Sequence, residues 1–105
     1  MEINAKQRKY LEKIAQGMNA LVQVGGAGIT ENQIAQIDRL LGEHELIKVK
    51  FNEYKEEKLP LSTNIAEKTG AVSVRVIGNV LILYREAEEP EKRRYEKELK
   101  KLAKA

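Results

Sequence analysis

The chain has 105 residues, 42% hydrophobic and 33% charged, with no cysteine, no tryptophan and one histidine, which bounds it to one domain of ordinary globular composition. Disulfides and thiolate metal sites are excluded, a single histidine argues against an imidazole metal site, and no apolar run approaches the roughly 20 residues of a membrane span. The net charge of +3 is unevenly placed: residues 1–90 hold 12 Lys/Arg against 13 Asp/Glu, and residues 91–105 hold 7 against 3.

Ile3, Tyr10, Leu11, Ile14 and Met18 recur at helical spacing, so an amphipathic helix is predicted from Ile3 to about Met18, ended by Gly17 and Asn19. Its polar side carries Lys6, Lys9 and Lys13, with Arg8 one position around. The ordinary reading of such a stripe is a solvated face. Leu21 to Val24 is short, β-branched and bounded by turn residues, a strand. It runs into Val24-Gly25-Gly26-Ala27-Gly28-Ile29-Thr30, with three glycines in four positions.

Behind that turn a second helix is predicted. Thr30 is its N-cap, Gln33 completes a capping box, and Ile29 and Ile34 form a hydrophobic staple. Gly42 is predicted to end it. Backbone N–H groups of a glycine-rich turn, followed by the donor-rich start of a helix, favour an anion, above all phosphate. No third glycine follows Gly28 at dinucleotide-binding spacing, and the Gly-Lys-Ser/Thr of a P-loop is missing.

His44 to Phe51 is predicted as a strand with Ile47, Val49 and Phe51 inward, which sends Lys48 and Lys50 to the other face. Residues 52–58 read as a polar loop. Pro60 fits the first turn of a third helix, with Leu61, Ile65 and Ala66 inward, ending at Gly70. The alternation at 72–76 predicts a strand with Val72, Val74 and Val76 inward and Ser73 and Arg75 outward. Gly78-Asn79 turns it into Val80–Tyr84, a strand apolar at every position that demands cover on both faces. Lys48, Lys50 and Arg75 are candidates for a cationic sheet face.

After Pro90, Tyr95, Leu99 and Leu102 leave a narrow apolar stripe on a charged segment, a helix expected to dock weakly or fray. Domain bounds follow at 1–90 for the body and 91–105 for a basic helical tail. The order α-β-α-β-α-β-β predicts an α/β two-layer sandwich on a four-stranded mixed sheet with right-handed crossovers. His44 beside Glu45 has no nucleophile to serve, and no acid–base pair sits at catalytic spacing, so no enzymatic role and no cofactor are expected.

Together, Lys6-Gln7-Arg8-Lys9-Tyr10-Leu11, the glycine loop through Glu31, His44-Glu45-Leu46-Ile47-Lys48-Val49, and Val76-Ile77-Gly78-Asn79-Val80 ending in Leu83-Tyr84-Arg85 resemble the CRM family of YhbY-like RNA-binding domains. The resemblance covers residues 3 to 85. It implies a fold like the C-terminal domain of translation initiation factor 3, a GxxG loop comparable to that of KH domains, and binding of structured RNA. Ribosomal RNA in precursors of the large subunit is the implied partner. Met1 to Lys6 lacks the apolar core of a signal peptide, so a cytoplasmic location is expected, with no membrane partner and a monomeric state. The resemblance also implies RNA-contacting roles for Gly25, Gly26, Ala27, Gly28 and Thr30, with flanking charge from Lys6, Arg8, Lys9 and Lys13. Two positions depart from the family: Gly26 stands where a lysine or other polar residue is usual, and Ala20 where proline is common. Without that lysine the loop has only its backbone N–H groups to offer. The competing reading is a protein-interaction module docking through Tyr95, Leu99 and Leu102.

Overall fold

The computed structural model describes residues 1–104. Its elements are α1 (Ala5–Gln16), β1 (Val22–Val24), α2 (Glu31–His44), β2 (Leu46–Phe51), α3 (Lys58–Thr69), β3 (Val72–Ile77), β4 (Val80–Tyr84) and α4 (Glu96–Ala103). The four-stranded sheet has the order β1-β2-β4-β3, with β1 parallel to β2 and both remaining pairs antiparallel. The α/β mixed sheet expected from the element order is therefore present. The crossover through α3 skips one strand position, and the β3–β4 hairpin folds back to fill it. That places the all-apolar β4 at the centre of the sheet.

Both faces of β4 are covered, as its composition requires. Leu81 and Leu83 join Ile37, Leu41, Ile47, Val49, Phe51 and Ile65 beneath α2 and α3. Ile82 and Tyr84 join Leu11, Ala15, Leu46, Val74 and Leu99 beneath α1 and α4. Each of these side chains is buried, at about 1.5–3 kcal/mol for a large aliphatic one.

Several local expectations are corrected. α1 begins at Ala5 rather than Ile3, because Asn4 caps it: its Oδ1 accepts from Gln7 N and Gln7 Oε1 accepts from Asn4 N, each at 2.8 Å. At α2, Thr30 Oγ1 accepts from Gln33 N as expected, and Ile29 and Ile34 both pack on the core. The reciprocal half of that box is absent, since Gln33 Nε2 donates to Gln23 O at 2.8 Å. α2 also passes through Gly42 and ends only at Glu45, in a positive-φ conformation (φ 63°). His44 is thus the last residue of a helix and not the first of a strand.

The expected inward set Val72, Val74 and Val76 is split by a register shift between Ser73 and Arg75. Ser73 pairs with Leu83 and Arg75 with Ile82, leaving Val74 as the extra residue of a bulge. Val74 is buried with α1's cluster, whereas Val76 packs on the opposite cluster.

The C-terminal helix is neither frayed nor weakly docked. Glu45, only 1% exposed, accepts from Ala87 N (2.9 Å, Oε2) and Arg94 N (2.7 Å, Oε1). Asn4 Nδ2 donates to Leu102 O and Gln7 Nε2 to Leu99 O, each at 2.9 Å. Tyr95 sits edge-on to Tyr10 and Tyr84, at 6.4 and 6.3 Å between centroids, arrangements that contribute about 0.5–1.5 kcal/mol each beyond burial. Burial, with Glu45 and Glu86 nearby, pushes the Tyr84 hydroxyl well above its ordinary value. The hydrogen bond from Arg93 (2.7 Å) holds the Glu96 carboxyl below the usual carboxylate range. Of the stripe offered to a partner in the competing reading, Tyr95 and Leu99 are thus turned onto the protein's own body, and Leu102 is half-buried.

Candidate nucleic-acid interface

The glycine loop is a turn closed by Gly28 N donating to Gly25 O at 3.0 Å. Gly28 takes φ +72°, the left-handed region where glycine is at ease. Gly25 and Gly26 have no positive φ, and a Cβ on either would meet nothing within 4 Å. Only Gly28 is conformationally demanded, so the other two leave the loop tip bare. With Gly28 N and Gln33 N spent within the protein, the N–H groups of Gly26, Ala27, Glu31 and Asn32 have no protein partner among the described residues. They border a shallow depression lined by Gly25 to Gly28, Thr30, Asn32, Gln33 and Gln36.

The loop is positioned by a residue that sequence reasoning missed. Tyr54 adopts a left-handed conformation (φ 57°), and its hydroxyl donates to Gly26 O at 2.8 Å. A Cβ on Gly28 would lie 3.5 Å from the Tyr54 ring. The same segment is tied to β1, since Asn52 N and Glu53 N both donate to Val24 O, and Asn52 Nδ2 donates to Gln23 Oε1. Residues 52–58 hence clamp the loop. They also line its other side with Glu53, Glu56 and Glu57 around a single Lys55.

The remaining candidates do not converge on this loop. Lys6, Lys9 and Lys13 are exposed on the outer face of α1. Arg8 is turned inward and donates to the carbonyls of Ser73 and Val74, holding the bulge. Arg75 pairs with Glu12 across to α1 at 3.3 Å. Lys48 Nζ donates to Met18 O at 3.1 Å, pinning the connection that follows α1. Lys50 is exposed and stands opposite Gln23, two residues before Gly25. The structure therefore sets the twelve candidates in three groups: the loop with Thr30, the α1 lysines, and a set of sheet-facing cations of which only Lys50 is uncommitted.

Among the described residues no helix is long and apolar enough to cross a membrane. Comparison with known proteins agrees with the fold. The family model for the CRS1 / YhbY (CRM) domain matches residues 3–85. A Haemophilus influenzae protein named "RNA-binding protein" is 41% identical over 88 residues, covering 83% of this chain and 89% of its own length. The protein YqeI of Bacillus subtilis is 32% identical over 88 residues, covering 83% of this chain and 92% of its own. Among solved structures, that of SAV1595 from Staphylococcus aureus superposes with a TM-score of 0.73 at 36% identity, over 89% of this chain and 98% of that one. With this match across most of its length, the chain belongs to the CRS1 / YhbY (CRM) domain family.

Proposed function

We propose that this protein binds structured RNA without catalysing a reaction, gripping the sugar-phosphate backbone at the glycine loop and along α1. The observation that carries the reading is the bare turn at Gly25 to Gly28, whose free N–H groups at Gly26 and Ala27 adjoin those at the capped head of α2. It stands in a chain whose relatives include one named for RNA binding. Backbone N–H groups and a helix N-terminus suit phosphate oxygens and carry no base code. Specificity then comes from RNA shape. Lys6, Lys9 and Lys13 supply flanking charge, Lys50 adds a cation near the loop, and Arg8, Lys48 and Arg75 act chiefly by holding the scaffold. The proposed setting is ribosomal RNA during assembly of the large subunit, in the cytoplasm, with the protein acting as a monomer. The protein-interaction reading loses its surface, since Leu99 is 3% exposed.

Neutralisation of four to six phosphates by the loop and α1 gives a slope of log K against log salt of roughly −3 to −5. Replacing Gly26 and Ala27 together by Asp is expected to abolish binding to a ribosomal RNA fragment while leaving the melting temperature in place. A flat salt dependence sinks the electrostatic grip, and unchanged affinity of the double variant clears the loop of this role.

A further inference from the structure

α1 and α4 lie side by side and antiparallel. Their contacts run in opposite chain directions: Asn4 to Leu102, Gln7 to Leu99, Tyr10 to Tyr95. Both use their apolar side inward, so what each shows to solvent is fixed by the 3.6-residue period. On α1 the fully exposed charged residues are Lys6, Lys9 and Lys13, and on α4 they are Lys97, Lys100, Lys101 and, at its end, Lys104. No acidic residue within either helix is fully exposed. Glu12 is engaged by Arg75, and Glu96 by Arg93 and Lys100. The outer surface of this two-helix layer therefore carries a strong excess of positive charge, in two lysine rows on helices whose axes pack at roughly 8–10 Å, and its one acidic side chain without an ion pair among the described residues is the half-buried Glu98 near Tyr10.

Resting on the RNA-binding reading above, we infer that α4 completes α1 into one docking surface for the two phosphate strands of an RNA stem. Three observations select a stem over other anionic partners. None of the exposed large hydrophobic residues, Met1, Leu21, Tyr54, Leu59 and Ile77, lies on either helix, so the face has no platform on which single-stranded bases stack. A helix that enters a membrane interface needs an outward apolar side, and here Leu99 is buried in the body and Leu102 half-buried. Lysine ammoniums on flexible stems are point charges that suit phosphate rows rather than base edges. The surface lies on the opposite side of the sheet from α2, so a stem held by α1 and α4 and a phosphate held at Gly25 to Gly28 are separate contacts of one RNA.

The test is the variant Lys97→Gln, Lys101→Gln, Lys104→Gln in the full chain, measured against an RNA hairpin with a stem of about 16 base pairs and against a single strand of the same composition. These side chains point outward, so the melting temperature is expected to stay within a degree or two. Affinity for the hairpin is expected to fall about 100-fold at 0.15 M salt, and the salt slope to lose about 2 to 3. Unchanged affinity and slope for the hairpin overturn the inference while the loop's role stands. Equal affinity of the natural chain for single strand and hairpin overturns the choice of a stem. Tight binding to vesicles rich in anionic lipid, with no binding to the hairpin, overturns both this inference and the RNA reading beneath it.

Discussion

The two surfaces proposed to meet RNA are built on opposite terms. The loop at Gly25 to Gly28 offers geometry with almost no charge: open N–H groups, a fixed turn, and neighbours at Glu31, Glu53, Glu56 and Glu57 that repel an anion. The α1–α4 layer offers charge with almost no geometry, since its lysines are exposed and free to move. Charge on flexible stems draws RNA from a distance but does not fix its register. Backbone N–H groups held by a turn act only at contact, yet fix position to within a hydrogen bond. In the proposed reading the lysines of the α1–α4 layer supply the charge that the loop tip, with Gly26, does not carry.

The largest effect is expected from detaching the lysine layer. Glu45→Ala leaves the buried N–H of Ala87 and the part-buried N–H of Arg94 without an acceptor, at about 3 kcal/mol in all. The melting temperature is expected to fall by about 12 °C, amides of Leu99 and Leu102 to lose protection from hydrogen exchange, and the salt slope for RNA to shrink as in the α4 lysine variant. A melting temperature equal to that of the natural chain means that the tyrosine and leucine contacts alone seat the tail.

A smaller change erases the distinction between the two surfaces. Gly26 has no positive φ and open space where a Cβ would stand, so Gly26→Lys fits without strain. One added phosphate contact raises affinity about fivefold at 0.15 M salt and steepens the slope by about 0.7 to 0.9. A gain in affinity with no change of slope shows that the added side chain acts through packing. No gain at all places phosphate away from the loop tip.

What could be read from the sequence was local. Thr30, Ile29 and Ile34 lie within five residues of one another and specify the start of α2 by themselves. The uniformly apolar β4 announced two covered faces because burial on both sides leaves no polar alternation. What stayed hidden was held by polar contacts between distant residues. The Glu45 carboxylate meets nitrogens 42 and 49 positions away, and Gln7 a carbonyl 92 away. A glutamate beside a histidine and a glutamine in a basic helix look like surface residues until the tail is folded onto them. The bulge at Val74 was equally silent, because Val72 to Val76 alternates perfectly whether or not one residue slips.

Tyr54 makes a further long-range contact, one that bears on whether the loop works by geometry. Its hydroxyl holds the Gly26 carbonyl 28 residues away, and its ring lies over Gly28. Tyr54→Phe keeps the ring and removes the hydrogen bond, which is exposed and so stands at the low end of about 0.5–1.5 kcal/mol. RNA affinity is expected to drop about twofold with the salt slope unchanged, since no charge is lost. Tyr54→Ala, which also removes the ring, is expected to weaken binding further at the same slope. That signature is the reverse of Gly26→Lys, where slope and affinity move together. If both Tyr54 variants bind RNA as the natural chain does, the hydrogen bond from Gly28 N to Gly25 O suffices to shape the turn, and the clamp serves the fold rather than the grip.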